Sequence, residues 1–426
     1  MNRLPLLTLS LITATLAQAA DWAFIGGPKG DRISTEKISQ KWPEAGPKQL
    51  WKVPSDSGFS SFVAGGNGVF TLELRDTDGA KQEVCVARDA DTGKELWTKT
   101  LGIAKYDGGG DSGTDSNKGG DGPRSTPTYD QGKVYVTSAK LVVTAFDAKT
   151  GTVAWQHDLL KEFAGRNIQW QNAAAPVVEG NLVLVAGGGA GQSLLAFDKG
   201  TGEVAWKAFD ETMTQSTPTP ATILGQRQII FFLKSGLLAV EPQTGKELWR
   251  YAFPFRVSTA SSPVVAGDIV YCSAGYGVGA GACKVTKEGD KFTAAEIYRK
   301  PGDKPLANHW STPVLKDGNL YGLFQFKEYG SGPLKCVDVA TGEVKWEKAG
   351  FGPGQVILVG NNVLVLSDTG ELILVKAAAD SYQEIARAKV LDGKCWTTPI
   401  VSNGRIYARS TKEAVCLDVS SKSAAR

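Results

Sequence analysis

The chain has 426 residues and nearly balanced charge, 47 Lys and Arg against 44 Asp and Glu, for a net +3. These charges are interspersed, so there is no basic stripe to track a nucleic-acid backbone, and nucleic acid is excluded as a partner. Beyond the amino terminus no stretch approaches eighteen uninterrupted apolar residues, which excludes a helical membrane span.

In chain order, residues 1–19 read as a secretory signal: Arg3, an apolar run from Leu4 to Leu16, then Ala17-Gln18-Ala19 as the cleavage site. No cysteine stands there to carry a lipid anchor, so the expectation is a soluble periplasmic or secreted protein. Residues 20–47 form an N-terminal extension. After it, KQLWKV places Trp51 on a strand that lacks the three strands expected ahead of it.

From that point two phrases alternate. One has the form Ser-Thr-Pro, apolar, turn, apolar-Tyr, and recurs at Pro127, Pro176, Pro218, Pro263, Pro313 and Pro399, with degenerate copies near Phe62 and Val356. The other is Ala-x-Asp-x-x-Thr-Gly-x-x-x-Trp, ending at Trp97, Trp155, Trp206, Trp249 and Trp346. Worn copies of the second end at Tyr298 and follow Trp346. The mean period is roughly 48 residues, and each period offers four short strands rich in Val, Ile, Leu and Tyr, the pattern of a propeller blade. The Asp-x-x-Thr-Gly element suits a tight hairpin with Gly at a positive φ.

The period is stretched once, by a Gly- and Asp-rich insertion over residues 107–123 that carries Asp107, Asp111, Asp115 and Asp121. Its spacing is not that of an EF-hand, so it reads as a solvated loop. The runs Gly187 to Gly191 and Gly275 to Gly281 fall in hairpins and open no helix, so neither cradles a phosphate. The final period stops after the strand carrying Cys416 and has no Trp strand of its own. Pairing it with the Trp51 strand closes the ring and removes two sheet edges. The expectation is an all-β, eight-bladed propeller over residues 48–420, with a tail at 421–426, and a monomer.

Cys85, Cys272, Cys283, Cys336, Cys395 and Cys416 contain no CxxC, CxxCH or adjacent pair, and no metal site is expected. Cys283, Cys336 and Cys416 fall in the slot that other blades fill with Ala and read as buried thiols; Cys272 and Cys283 could also face each other as a disulfide. His157 follows a docking Trp and is expected to be exposed. Trp51, Trp97, Trp155, Trp206, Trp249 and Trp346 repeat with the blades, so their role is packing. Functional residues must therefore be sought among side chains that do not repeat. Those just before each Pro differ from blade to blade: Arg124, Trp170, Gln171, Asn172, Gln215, His309, Trp310, Lys394 and Trp396. They either fill the axis or form a pocket for a planar or sugar-like ligand. His309 has no nucleophile or orienting carboxylate that can be paired with it, so no catalytic set emerges.

The Ala-x-Asp-x-x-Thr-Gly-x-x-x-Trp phrase resembles the tryptophan-docking motif of the pyrroloquinoline-quinone (PQQ)-like propeller repeat. That superfamily holds quinoprotein alcohol dehydrogenases and the propeller lipoprotein of the bacterial outer-membrane assembly machinery. The leader DWAFIGGPKGDRISTEK and the segment GDGPRSTPTYDQGKVYV also resemble short exported PQQ-like propellers of environmental bacteria. The resemblance implies the fold and leaves two functions open. One is a non-catalytic scaffold or binding protein for a protein, a cell-envelope component or a small molecule. The alternative is a dehydrogenase that oxidises an alcohol or sugar with PQQ and calcium. For the alternative, the family pattern implies an adjacent Cys-Cys pair and calcium-holding Glu, Asn and Asp. This chain has no such pair, and only Trp310 or Trp396 matches the tryptophan floor.

Overall fold

The structure of the protein, a computed structural model, describes residues 21–103 and 121–421. The expected signal peptide, Asp107, Asp111 and Asp115 of the insertion, and residues 422–426 lie outside the described residues. The described strands form an eight-bladed β-propeller. Seven blades are consecutive antiparallel meanders over 63–103, 128–158, 177–208, 219–252, 264–300, 314–348 and 355–389. The eighth combines Ile400–Ser402, Arg405–Arg409 and Glu413–Asp418 with Lys48–Pro54 from the other end of the described chain. Trp51 pairs with Cys416 across that closure, as the two incomplete ends require.

Each Asp-x-x-Thr-Gly phrase folds as a self-capped turn. Asp89 Oδ1 accepts from the Asp91 and Thr92 backbone N–H groups and from the Thr92 hydroxyl, at 2.8–3.1 Å. Gly93 then takes φ 70°, and a Cβ there would meet the Trp51 ring of the adjacent blade at 2.7 Å. The Gly is therefore required twice, by the turn and by the ring lying on it. Trp51, Trp97, Trp155, Trp206 and Trp346 each donate the indole N–H to a carbonyl in the next blade's hairpin, on Ala90, Ala148, Lys199, Pro242 and Ala378. Trp249 departs from this rule. The next hairpin there is KEGDK rather than a Thr-Gly turn, and the indole N–H goes to Gln228 Oε1 within its own blade, at 2.5 Å.

Three further expectations need correction. Ala282, not Cys283, stands opposite the docking ring in the fifth blade, because Tyr298 pairs with Ala282 while Cys283 pairs with Glu296. Cys272 pairs with Gly281 and Cys283 with Val270, so the two thiols are diagonal neighbours rather than opposed, and both are free and buried. His157 is half-buried, not exposed: its ring stacks on Phe197 at 4.7 Å and bonds Glu162 and the Gly202 carbonyl.

The Ser-Thr-Pro phrase proves to be a second girdle, at the axis. The hydroxyls of Thr126, Thr217, Thr312 and Ser61 accept backbone N–H groups of Ser61, Ala175, Ser262 and Thr398, each in the preceding blade, at 2.8–3.1 Å. Thr128 and Thr219 donate to the carbonyls of Pro176 and Pro263 across two of the intervening seams. The blades are thus fastened by indoles at the rim and by hydroxyls at the centre.

The N-terminal extension crosses the channel. Its Trp22 and Ala23 carbonyls accept from Ala64 and Tyr129 in the first two blades, and Trp22 is fully buried. Gly30 then passes so close to the fourth blade that a Cβ would meet Pro220 at 2.7 Å. Ile33–Ser34 adds a parallel strand to the inner edge of the seventh blade, and Glu36 caps the Asn403 and Gly404 N–H groups of the eighth. A segment with no repeat signature therefore stoppers the axis.

Candidate ligand-binding cup

With the extension closing one side, the channel is left as a cup open on the other. Its space, open solvent at the mouth included, is about 1180 Å³. The walls come from one recurring position, three residues before each Pro or its equivalent: Phe59, Arg124, Ala173, Gln215, Ala260, Trp310 and Trp396 all line it. Tyr276 and Tyr329 reach in from loops between the second and third strands of their blades, and Ile25 and Arg32 of the extension form the floor.

Aromatic rings dominate one wall. Trp310 and Trp396 stack at 4.7 Å, Phe59 lies 4.8 Å from Trp396, and Tyr329 lies nearly parallel to Trp396 at 5.8 Å. The pair is held from behind. Trp310 donates its indole N–H to the Pro353 carbonyl at 3.0 Å, and Gln355 Nε2 donates to the Trp310 and Trp396 carbonyls at 2.9 and 3.3 Å. His309 sits behind Trp310 among Tyr276 and Phe326, at 5.0 Å or less from each. Burial, aided by Lys327, lowers its pKa to about 3, so the imidazole is neutral at ordinary pH. Its Nδ1 has no hydrogen-bond partner among the described residues.

The other candidates divide by task. Gln215 donates to the Trp170 and Gln171 carbonyls, and Arg124 also bonds the Trp170 carbonyl at 3.3 Å, so both brace the loop that carries the exposed Trp170. Asn172 is buried and caps the carbonyls of Thr137, Ser138 and Ala174. Gln171 sits at φ 61° and bonds Asn167, away from the cup lining. Lys394 lies outside the lining, over the Trp396 ring at 5.1 Å and paired with Asp121 at 3.2 Å. Asn172, Gln171 and Lys394 thus stand around the cup rather than in it.

Sequence reasoning missed Phe59, Tyr276, Tyr329, Gln355, Ile25 and Arg32. Phe59 was within reach, since it precedes the degenerate Phe62 by the same three residues that separate Trp310 from Pro313. The extension residues carried no comparable signal.

Charge in the lining is one-sided. Among the described residues, Arg32 and Arg124 are its only ionisable side chains apart from the neutral His309 and the two tyrosines, and no Asp or Glu lines it. Among the described residues no three His, Cys, Asp or Glu side chains come together. Calcium needs six to eight oxygens with carboxylates among them. The stacked tryptophans suit a planar group, but the donors among the described residues do not fit a calcium-held quinone.

The fold and cup define an eight-bladed propeller with a stoppered channel and an aromatic, donor-rich mouth. Over residues 80–347 the sequence matches the family model described as outer membrane protein assembly factor BamB, and the chain belongs to this PQQ-like propeller family. Among curated relatives, the outer membrane protein assembly factor BamB of Yersinia pestis is 22% identical over 383 residues, 88% of this chain and 79% of that protein. The protein of the same name from Moranella endobia (strain PCIT) is 23% identical over 303 residues, 68% and 74% of the two chains. Among solved structures, BamB from Moraxella catarrhalis superposes with a TM-score of 0.59 at 16% identity, covering 87% of this chain and 99% of that one. Quinohemoprotein alcohol dehydrogenase from Comamonas testosteroni gives 0.66 at 16% identity, covering 94% and 80%. At such identities the structural likeness establishes the fold alone.

Proposed function

We propose that the protein is an exported, non-catalytic binding protein of the cell envelope, whose cup takes a small ligand and whose open loop face meets an envelope partner. The observation that carries this reading is the lining itself: stacked aromatic walls and hydrogen-bond donors, with no nucleophile set beside a base. Its relatives named as outer membrane assembly factors support a binding role in the envelope. With it go the domain limits proposed from sequence: a signal at 1–19, the propeller over 48–420, and a periplasmic or secreted monomer.

The test uses the intrinsic fluorescence of the cup tryptophans and the Tm of the purified chain, against neutral sugars, sugar acids, aromatic acids and short peptides. At least one class should give a saturable signal and a raised Tm. Trp310→Ala and Trp396→Ala should lose that signal while still melting cooperatively. A chain that responds to none of them, with both variants indistinguishable from the parent, ends the cup reading. Dye reduction by alcohols or sugars in the presence of PQQ and calcium should be nil; turnover there would establish the dehydrogenase instead.

A further inference from the structure

One side chain in the cup is costly to keep where it is. Arg32 is 5% exposed, yet among the described residues its side chain makes one hydrogen bond, from Nη1 to Thr398 Oγ1 at 3.1 Å, and pairs with no carboxylate. Burial without a counter-charge lowers even a guanidinium, here to about 10. Its backbone also stands at φ 62°, in the left-handed region that non-glycine residues avoid. A buried unpaired charge and a strained backbone at the same residue are two separate penalties. The chain nevertheless fixes that backbone on both sides, since Arg32 N–H donates to the Gly26 carbonyl and Arg32 C=O accepts from Leu358. Thr398, which Nη1 meets, lines the cup, so the guanidinium edge faces the cavity.

The described lining offers further donors and no carboxylate. Ser61, Thr217, Ser258 and Thr398 line the cup, and each hydroxyl oxygen accepts from Thr398 N–H, Ala175 N–H, Gln215 N–H and Arg32 respectively. Their O–H groups find no acceptor among the described residues, which leaves those protons for a ligand. Arg124, bonded to the Trp170 carbonyl, is a second guanidinium in the lining. A guanidinium edge is shaped for the two oxygens of one carboxylate. Trp310 and Trp396, which line the same cup as a stacked pair, give it an aromatic wall that suits a ring rather than a flexible chain.

We propose that the cup takes a ring-bearing carboxylate, its anion on Arg32 at the floor and its ring against Trp310 and Trp396, without a metal. The proposal rests on the cup reading and narrows it to one ligand chemistry. The ring is either a sugar or an aromatic, and the two are separated by experiment.

Titration calorimetry with the whole mature chain would compare glucuronate with its methyl ester and 4-hydroxybenzoate with its methyl ester, each with and without EDTA. Glucose 6-phosphate serves as the phosphate control. The expected result is that one acid binds at least about tenfold tighter than its ester, indifferent to EDTA, and that the preferred ring names the source. Arg32→Gln should weaken that acid by about tenfold or more and leave the ester unchanged, and Arg32→Lys should recover part of the loss. In the absence of ligand, Arg32→Gln should not lower the Tm, because it removes an uncompensated charge; a purely structural arginine would lower it. Equal binding of acid and ester, tighter binding of glucose 6-phosphate, loss with EDTA, or indifference to Arg32→Gln would each overturn the proposal while leaving the cup reading in place. Silence from every compound, with Trp310→Ala equally inert, would remove both. The acid–ester comparison needs no variant, so a misfolded Arg32→Gln does not decide the matter.

Discussion

At the scale of single residues, the wall of the cup is backed by a carboxylate under tension. Glu83 is buried, with Oε2 accepting from the Ala139 N–H at 2.9 Å and Oε1 unpartnered among the described residues. Burial raises its pKa to about 7, against the partial relief of the Ala139 bond and of Arg124. The folded state therefore holds the proton more tightly than the unfolded chain, whose value is near 4.5. The sign follows from linkage: this group's contribution is most favourable below the unfolded pKa, and it is lost as pH rises through the folded value. Between pH 5 and pH 8 the loss is of order 2–3 kcal/mol. His309 runs the opposite way: burial takes its pKa from 6.5 to about 3, so the unfolded chain binds the extra proton below pH 6.5. About 2 kcal/mol of stability is thereby gained between pH 5 and pH 8, offsetting much of the Glu83 loss. Glu83→Gln should remove this loss, leave the rise due to His309, and be the more stable protein at pH 8, read from urea melts at both pH values. A variant whose stability tracks the parent at both values would show that Glu83 is ionised without penalty.

At the scale of elements, the closing strand Lys48–Pro54 is fastened by more than its ladder. Just beyond it the Ser55 hydroxyl donates to Glu73 Oε1 at 2.8 Å and accepts from Arg409 Nε at 3.1 Å, joining the first and eighth blades. Arg409 is fully buried and also donates to the carbonyls of Ser60, Leu72 and Asp56. Burial alone would raise the pKa of Glu73, but Arg409, Arg75 and Arg88 outweigh it and hold the carboxyl below its usual value. Removing Glu73 takes away the carboxylate that faces the fully buried Arg409, while Arg75 keeps Asp56 and Glu95. Glu73→Ala should therefore cost about 3–5 kcal/mol. Surface pairs such as Lys52 with Glu413 should cost less than about 1 kcal/mol when removed. A Glu73→Ala protein that melts within a degree of the parent would show that the seam is held by strand pairing alone. The latch also carries a pH sign opposite to that of Glu83: its contribution is present above the unfolded carboxylate pKa and is lost as acid protonates Glu73.

At the scale of the whole molecule, what was legible is what repeats. Thr-Gly hairpins, docking rings and Ser-Thr-Pro inner strands recur because each blade must solve the same packing problem, so period and composition gave the ring and its closure at Trp51. Where a copy wears out, the reading slips: the KEGDK hairpin hid both the acceptor of Trp249 and the identity of Ala282 as the slot residue. The cup was half legible, through the variable residue three places before each Pro. Its floor was not, because Ile25 and Arg32 belong to a segment whose contacts lie at sequence distances of hundreds of residues, such as Arg32 with Thr398. That division has a measurable consequence. The extension and the closing strand are adjacent in sequence but do different work: the first stoppers the channel, the second completes a sheet. A chain starting at Ala45 should retain eight closed blades and melt in one cooperative transition, at a lower Tm because the buried Trp22 contacts are gone. A chain starting at Ser55 should leave the edge of Glu413–Asp418 unpaired and should associate or lose cooperativity, as exposed strand edges do. Size-exclusion chromatography and thermal melts of the two truncations, run side by side, separate stopper from clasp. If both behave alike, closure and plug are one structural unit, and the floor of the cup cannot be altered without opening the ring.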